Sequence, residues 1–244
     1  NVNVSMVLQS QPTPDDHPFQ ACREHQPAAS HEISFTLTCA TANVLTLYQN
    51  KAEHGKGLTA RLEALLRSFE HENILVIGVQ ETRSQMQGHT ICHDFHVLAA
   101  PATPKGVGGV QLWIKRKWKT SQGIITISTA DLRIVAADPQ FLLVKLMHDG
   151  LRLLFLVGHA PNCPTFGTAT TFWNNISRSI PASLRSWALI GLLDANARVG
   201  SMQSKVIGTC GEEPENLAGE CFHQWLHDQN LFLPQTFEDR KSVV

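Results

Sequence analysis

The stretch ILVIGVQETR at 74–83 constrains the fold more than any other part of this chain. Its first six residues are apolar without alternation and rich in β-branched side chains. That is the pattern of a strand covered on both faces, since a half-buried strand would alternate. Just upstream, Leu58, Leu62, Leu65, Leu66 and Phe69 recur at helical spacing while Arg61, Glu63 and Arg67 fall elsewhere, so an amphipathic helix leads into the strand. Before the helix, ISFTLTCATANVLTL at 33–47 alternates apolar and small polar residues as a strand does. Strand, helix and buried strand in succession are the local grammar of an α/β fold.

The segment from 90 to 160 reads as a series of short strands. HTICHDFHVLA, GGVQLWI, GIITIS, LRIVAA, QFLLVKLM and LRLLFLVGHA are separated by Gly, Pro, Asp and Asn turns, and Asp149-Gly150 is a strong hairpin signal. Residues 165–180 predict a helix with Phe166, Ala169, Phe172, Trp173 and Ile176 on one side. WALIGLLDANARVG at 187–200 predicts another buried strand ending in a polar loop, and 217–230 a further amphipathic helix before LFLP. Phe35, Trp173, Trp187 and Trp225 read as core residues. Residues 1–32, with Pro12, Pro14, Pro18 and Pro27, predict an extended or disordered tail. The remainder, 33–244, is read as one mixed α/β domain.

Composition narrows the function classes. The chain of 244 residues is 43% hydrophobic, too apolar for disorder, and its net charge of −1 provides no global basic field. Contact with nucleic acid therefore requires local patches. No stretch approaches the roughly 20 consecutive apolar residues of a membrane helix, and the start does not read as a secretory signal. The cysteines at 22, 39, 92, 163, 210 and 221 contain no C-x-x-C pair and read as thiols in a reducing compartment, so the expected location is intracellular.

Polar groups stand where apolar strands end. Asn43 follows FTLTCATA, Glu81 follows ILVIGVQ, and Asp194 and Asn196 follow WALIGLL. Sheet proteins collect catalytic groups at such ends. Carboxylates at the ends of two buried strands, with amides nearby, suit Mg²⁺, which takes one or two carboxylates plus water and a substrate phosphate. Each such residue alone is ordinary turn chemistry. Two further features compete for attention. WIKRKWK at 113–119 suits phosphate contact and base stacking, against the reading, favoured here, of a basic strand end with Trp113 and Trp118 packed inward. His89, His93 and His96 would share a face and bind zinc if helical, but separate if the segment is a strand.

In their order, these residues resemble the endonuclease/exonuclease/phosphatase superfamily, and most closely its members from non-LTR retrotransposons. The motifs are TANVLTL at 41–47, VQETR at 79–83, KGVGGVQLWI at 105–114, GHAPN at 158–162, LLDANARVG at 192–200 and PENLAGECFHQWLHDQNLFLPQTF at 214–237. The resemblance implies a four-layer α/β sandwich of the DNase I kind, with two mixed β-sheets packed face to face and helices outside. It implies Glu81 and Asn43 at the metal, Asp194, Asn196 and His159 as catalytic groups, and Arg83 and Asn162 as substrate contacts. Mg²⁺ is the implied cofactor, with Mn²⁺ a second candidate. DNA is the implied partner, and a reverse transcriptase domain would accompany it in a full-length retroelement protein. A nuclease acting on chromosomal DNA would be nuclear.

There are departures from the family pattern. His159 stands where the family has Tyr, and Leu193 where it has Gly before the catalytic Asp. No Ser-Asp-His triplet occurs, and His223 and His227 lack its context. The expectation is a domain incomplete at its C-terminus and inactive or weak as it stands. The rival readings are a degenerate remnant that binds nucleic acid without cutting it, and a phosphatase or phosphodiesterase branch of the same superfamily.

Overall fold

A computed structural model describes residues 2–8, 33–48, 60–71, 74–162 and 165–237. In it, strands β1 (Val2–Leu8), β2 (Ile33–Asn43), β3 (Val76–Gln80), β4 (Gly88–Cys92), β5 (Phe95–Ala100) and β6 (Val110–Lys115) form a six-stranded sheet in the order β1-β2-β3-β6-β5-β4. A second sheet has the order β12-β11-β10-β9, from β9 (Leu132–Asp138), β10 (Phe141–His148), β11 (Leu151–His159) and β12 (Ala188–Asp194). A small hairpin, β7 (Lys117–Thr120) with β8 (Gly123–Thr126), stands apart from both.

The continuous apolar runs arise because each sheet is covered twice. In β3, Val76 faces the layer shared between the sheets, with Leu112 and Ile114 of β6, while Ile77 and Val79 face the opposite way. There they meet Leu62 and Leu66 of helix α1 (Ala60–His71). In β11, Leu153, Phe155 and Val157 enter the shared layer, while Leu154 and Leu156 face α2 (Phe166–Ser179) and α3 (Leu217–Asp228). Period-two alternation therefore distributes apolar residues to two cores. The layers run helix, sheet, sheet, helix, which is the expected four-layer sandwich.

Local chemistry sets the boundaries. Thr165 caps α2 by accepting from the Thr168 N–H, and Asn216 caps α3 by accepting from the Gly219 N–H. Asp149 and Gly150, at φ of +42° and +86°, make the two-residue turn that pairs His148 with Leu151. Between the sheets, Gly78 lies under Leu192, where a Cβ on Gly78 would stand 2.5 Å from the Leu192 Cβ. Only glycine allows so close an approach of β3 to β12.

Several expectations change. Val2–Leu8, read as part of an extended tail, pairs antiparallel with Ile33–Cys39 as a sheet strand. Its own polar–apolar alternation was masked by the Pro-rich residues after it. The remaining tail residues, 9–32, and the expected helix residue Leu58 lie outside the described residues, as does the side chain of Phe35. HTICHDFHVLA is not one strand but the hairpin β4–β5, turning at His93, whose φ is +53°. WALIGLL is not fully buried, because among the described residues β12 has only β11 beside it and Gly191 is exposed. Phe166 is likewise exposed, whereas Trp173 and Trp225 are core residues and Trp187 packs partly buried against them. Cys39, Cys92 and Cys221 are buried free thiols, and burial pushes the Cys39 thiol up to about 12.

Candidate active site

Each sheet contains one parallel pair whose strands are joined through a helix, β2 with β3 and β11 with β12. Asn43 is opposite Gln80 at the end of the first pair, and His159 is opposite Asp194 at the end of the second. Stacking the sheets brings these ends together. The Asn43 Nδ2 donates to Glu81 Oε1 at 3.1 Å and to Asp194 Oδ2 at 2.9 Å. Its Oδ1 accepts the Leu45 N–H at 3.0 Å, which fixes the orientation of the amide. His159 Nε2 is 3.2 Å from Glu81 Oε1 and 3.9 Å from Asp194 Oδ2. The cluster thus contains two carboxylates, with the Asn43 amide donating to both and the His159 Nε2 at hydrogen-bond distance from Glu81 alone.

Buried Gln80 holds the halves in register. Its Nε2 donates to the Thr41 hydroxyl at 2.9 Å within the first sheet and to the Leu192 carbonyl at 2.9 Å across to β12. Leu at this position would fill similar space but leave the Leu192 carbonyl without that donor, a loss of about 1–3 kcal/mol. Gln80→Leu is therefore expected to lower the denaturant midpoint and to loosen the alignment of Glu81 with Asp194. A midpoint unchanged from that of the parent chain would contradict this.

Of the other expected site residues, Arg83 and Asn196 adjoin the cluster. Arg83 NH2 lies 3.7 Å from Glu81 Oε2, with half its side chain exposed. Asn196 donates through Nδ2 to the Ala160 carbonyl at 2.7 Å, and its N–H reaches Asp194 Oδ1 at 3.3 Å, so it braces the β11 end against the β12 end. Asn162 is exposed on the loop that follows Ala160. A groove of about 1450 Å³ begins at Asn43, Asp194 and Asn196 and follows β12 toward Phe232. Sequence reasoning missed Gln80 as the tie between sheets; a buried Gln at a strand end was the available signal.

The donor set suits a hard cation. Glu81 and Asp194 are partly exposed carboxylates, and Mg²⁺ typically takes one or two of these with water and substrate phosphate. Asn43 donates from its nitrogen to both carboxylates and accepts the Leu45 N–H at its oxygen. Among the described residues no group of three or more His, Cys, Asp or Glu side chains forms a metal cage. The zinc alternative accordingly dissolves: His89 pairs with His96 at 3.0 Å, while His93 points to Glu70. The basic run at 113–119 has Trp113 and Trp118 fully buried, which leaves no aromatic platform there.

The His89–His96 pair carries a pH consequence. Burial first, and then the charge of His96, lower the His89 pKa below 6.5. Below that value the unfolded chain takes up a proton that the folded chain resists, so stability falls as pH drops and is regained above it. Thermal unfolding of His89→Gln is expected to change less between pH 7 and pH 5 than that of the parent; equal slopes would contradict this.

No protein-family model matches this sequence, and no curated protein matches it. Similar solved structures include the endonuclease domain of TRAS1, a telomere-specific non-LTR retrotransposon, at 13% identity and a TM-score of 0.47, covering 79% of this chain and 70% of that one. An AP endonuclease from Leishmania major is similar at 15% identity and a TM-score of 0.49, covering 80% and 67%. An endonuclease/exonuclease/phosphatase family protein from Leptotrichia buccalis is similar at 15% identity and a TM-score of 0.42, covering 78% and 72%. No helix among the described residues is long and apolar enough to cross a membrane.

Proposed function

We propose that this chain belongs to the endonuclease/exonuclease/phosphatase superfamily and is a Mg²⁺-dependent phosphodiester hydrolase acting on DNA, of the retroelement type. The observation that carries the reading is the meeting of Asn43, Glu81, His159 and Asp194. These residues come from four separate motifs and are joined by contacts of 2.9–3.9 Å where two parallel strand pairs end. Chance turn chemistry at four strand ends has no reason to converge on one point.

Glu81 would hold the metal, which when bound supplies charge neutralisation at the scissile phosphate and a more acidic water. Asp194, its carboxylate fixed by the Asn43 amide, would orient the attacking water and accept its proton. His159 would donate from Nε2 to a phosphate oxygen, the task of the family's Tyr. Arg83, half exposed, would meet a neighbouring phosphate, and Asn162 would extend that contact along the substrate. The 244 residues contain no Ser-Asp-His triplet, so no described residue is given the task of an imidazole that stabilises the pentacovalent state. In a retroelement protein the same chain would act on chromosomal DNA beside a reverse transcriptase.

A substrate panel tests the assignment. With Mg²⁺, cleavage of duplex DNA and none of phosphoinositide or sphingomyelin is the expected outcome. Turnover of a lipid phosphate with DNA untouched would move the chain to the phosphatase or phosphodiesterase branch. Retention of DNA without cleavage would make it a binding remnant.

A further inference from the structure

We propose that Leu45 is a DNA-contacting residue, an apolar wedge held beside the scissile phosphate by a strained backbone; the proposal rests on the nuclease reading above. Among the described residues, seven without a glycine's freedom have positive φ: Leu45, Glu81, Arg83, His93, Asp149, Asn196 and Asn230. Six are polar, and Asp149, His93 and Asn230 lie in turns, where such side chains tolerate this conformation. Glu81, Arg83 and Asn196 belong to the candidate site. Leu45 is the one apolar residue among them, at φ +59° and 62% exposed.

The conformation is imposed from both sides. The Thr46 N–H reaches the Val44 carbonyl at 2.7 Å, closing a three-residue turn around Leu45 of the strained, positive-φ kind. The Val44 N–H donates to the Gln80 carbonyl, Arg61 donates to the Val44 carbonyl, and the Leu47 N–H donates to the Thr82 carbonyl. The Leu45 N–H itself holds Asn43 Oδ1, and Asn43 holds both carboxylates.

Burial does not explain a leucine here. Gly or Asn would adopt this φ with less strain, and the exposed side chain gains little from packing. Such an outlier beside a catalytic cluster points outside the fold. A duplex whose phosphate rests between Glu81 and Asp194 brings its sugar and base edges within reach of a residue two positions from Asn43. Apolar side chains inserted from the minor-groove side partly unstack a base step and bend the duplex toward the enzyme.

The test uses the full chain carrying Glu81→Ala, so that DNA is not cut during the measurement, with a short labelled duplex followed by fluorescence anisotropy. Leu45→Gly and Leu45→Asn are each expected to weaken binding about tenfold, the loss of one apolar contact. Leu45→Met is expected to retain it. Thermal unfolding separates this from a structural role: relief of strain should leave Tm unchanged or raise it by about 2–4 °C. Binding within twofold of the parent, no duplex binding by the parent, or a fall in Tm that accounts for the weaker binding would each overturn the proposal. Nicking by the chain without the Glu81 change is scored separately. Its absence alongside Leu45-dependent binding would count against the hydrolase reading alone.

Discussion

Glu81→Ala is expected to reduce Mg²⁺-dependent DNA cleavage by about three orders of magnitude or more while leaving the fold intact. Glu81 sits at the centre of the cluster, where its Oε1 accepts from Asn43 and faces His159 and its Oε2 faces Arg83. Removing it takes away the carboxylate proposed to hold the cation and deprives Asn43, His159 and Arg83 of a shared partner. The side chain is partly exposed, so no buried charge is left unpaired and stability should change by under about 1 kcal/mol. Glu81→Gln should fail as well, since the amide keeps the shape and loses the charge. Asp194→Asn should also abolish cleavage but retain metal binding, because the proposed mechanism gives the metal to Glu81 and the water to Asp194. Plasmid nicking and the circular dichroism melt are the readouts, and a variant that nicks within tenfold of the parent would exclude Glu81 from the chemistry.

The largest stability effect is expected at Trp173. This residue is 4% exposed, stacks on Trp225 with ring centroids 4.6 Å apart, and lies 5.0 Å from Phe222, joining α2 to α3. Trp173→Ala would open a cavity in the helical layer at a cost of about 3–5 kcal/mol. In a chain of this size that corresponds to a fall in Tm of roughly 6–20 °C by calorimetry. The effect extends to function through α3: its cap Asn216 also accepts the Arg198 N–H, and its His223 is fixed between Ser204 and Glu215. A loosened α3 frees the loop that carries Asn196. A cost below about 1 kcal/mol would show that the aromatic stack is not a stabilising unit.

The layering was legible because ILVIGV and LRLLFLVGHA are apolar on both faces, which demands cover on both. The turn at Asp149-Gly150 is local chemistry and needs no tertiary information. Convergence of the site was not legible in spacing, because Asn43 and Asp194 are 151 residues apart and meet only through sheet stacking. Motif order, by resemblance, supplied what periodicity could not. The exposed edge of β12 escaped notice since Leu189, Ile190 and Leu193 read as buried wherever they sit. Gln80 at the end of an apolar strand signalled a polar partner but not that β12 supplies it, and the positive φ of Leu45 is a property of the folded chain.

The most direct measurement is nicking of supercoiled plasmid by the purified, folded chain, with Mg²⁺ and with chelator, alongside Glu81→Ala. Conversion to open circle that needs the metal and disappears with Glu81 is the expected result. Conversion that persists in chelator or survives the loss of Glu81, or a folded chain that takes up Mg²⁺ at Glu81 and leaves the plasmid intact, would contradict it.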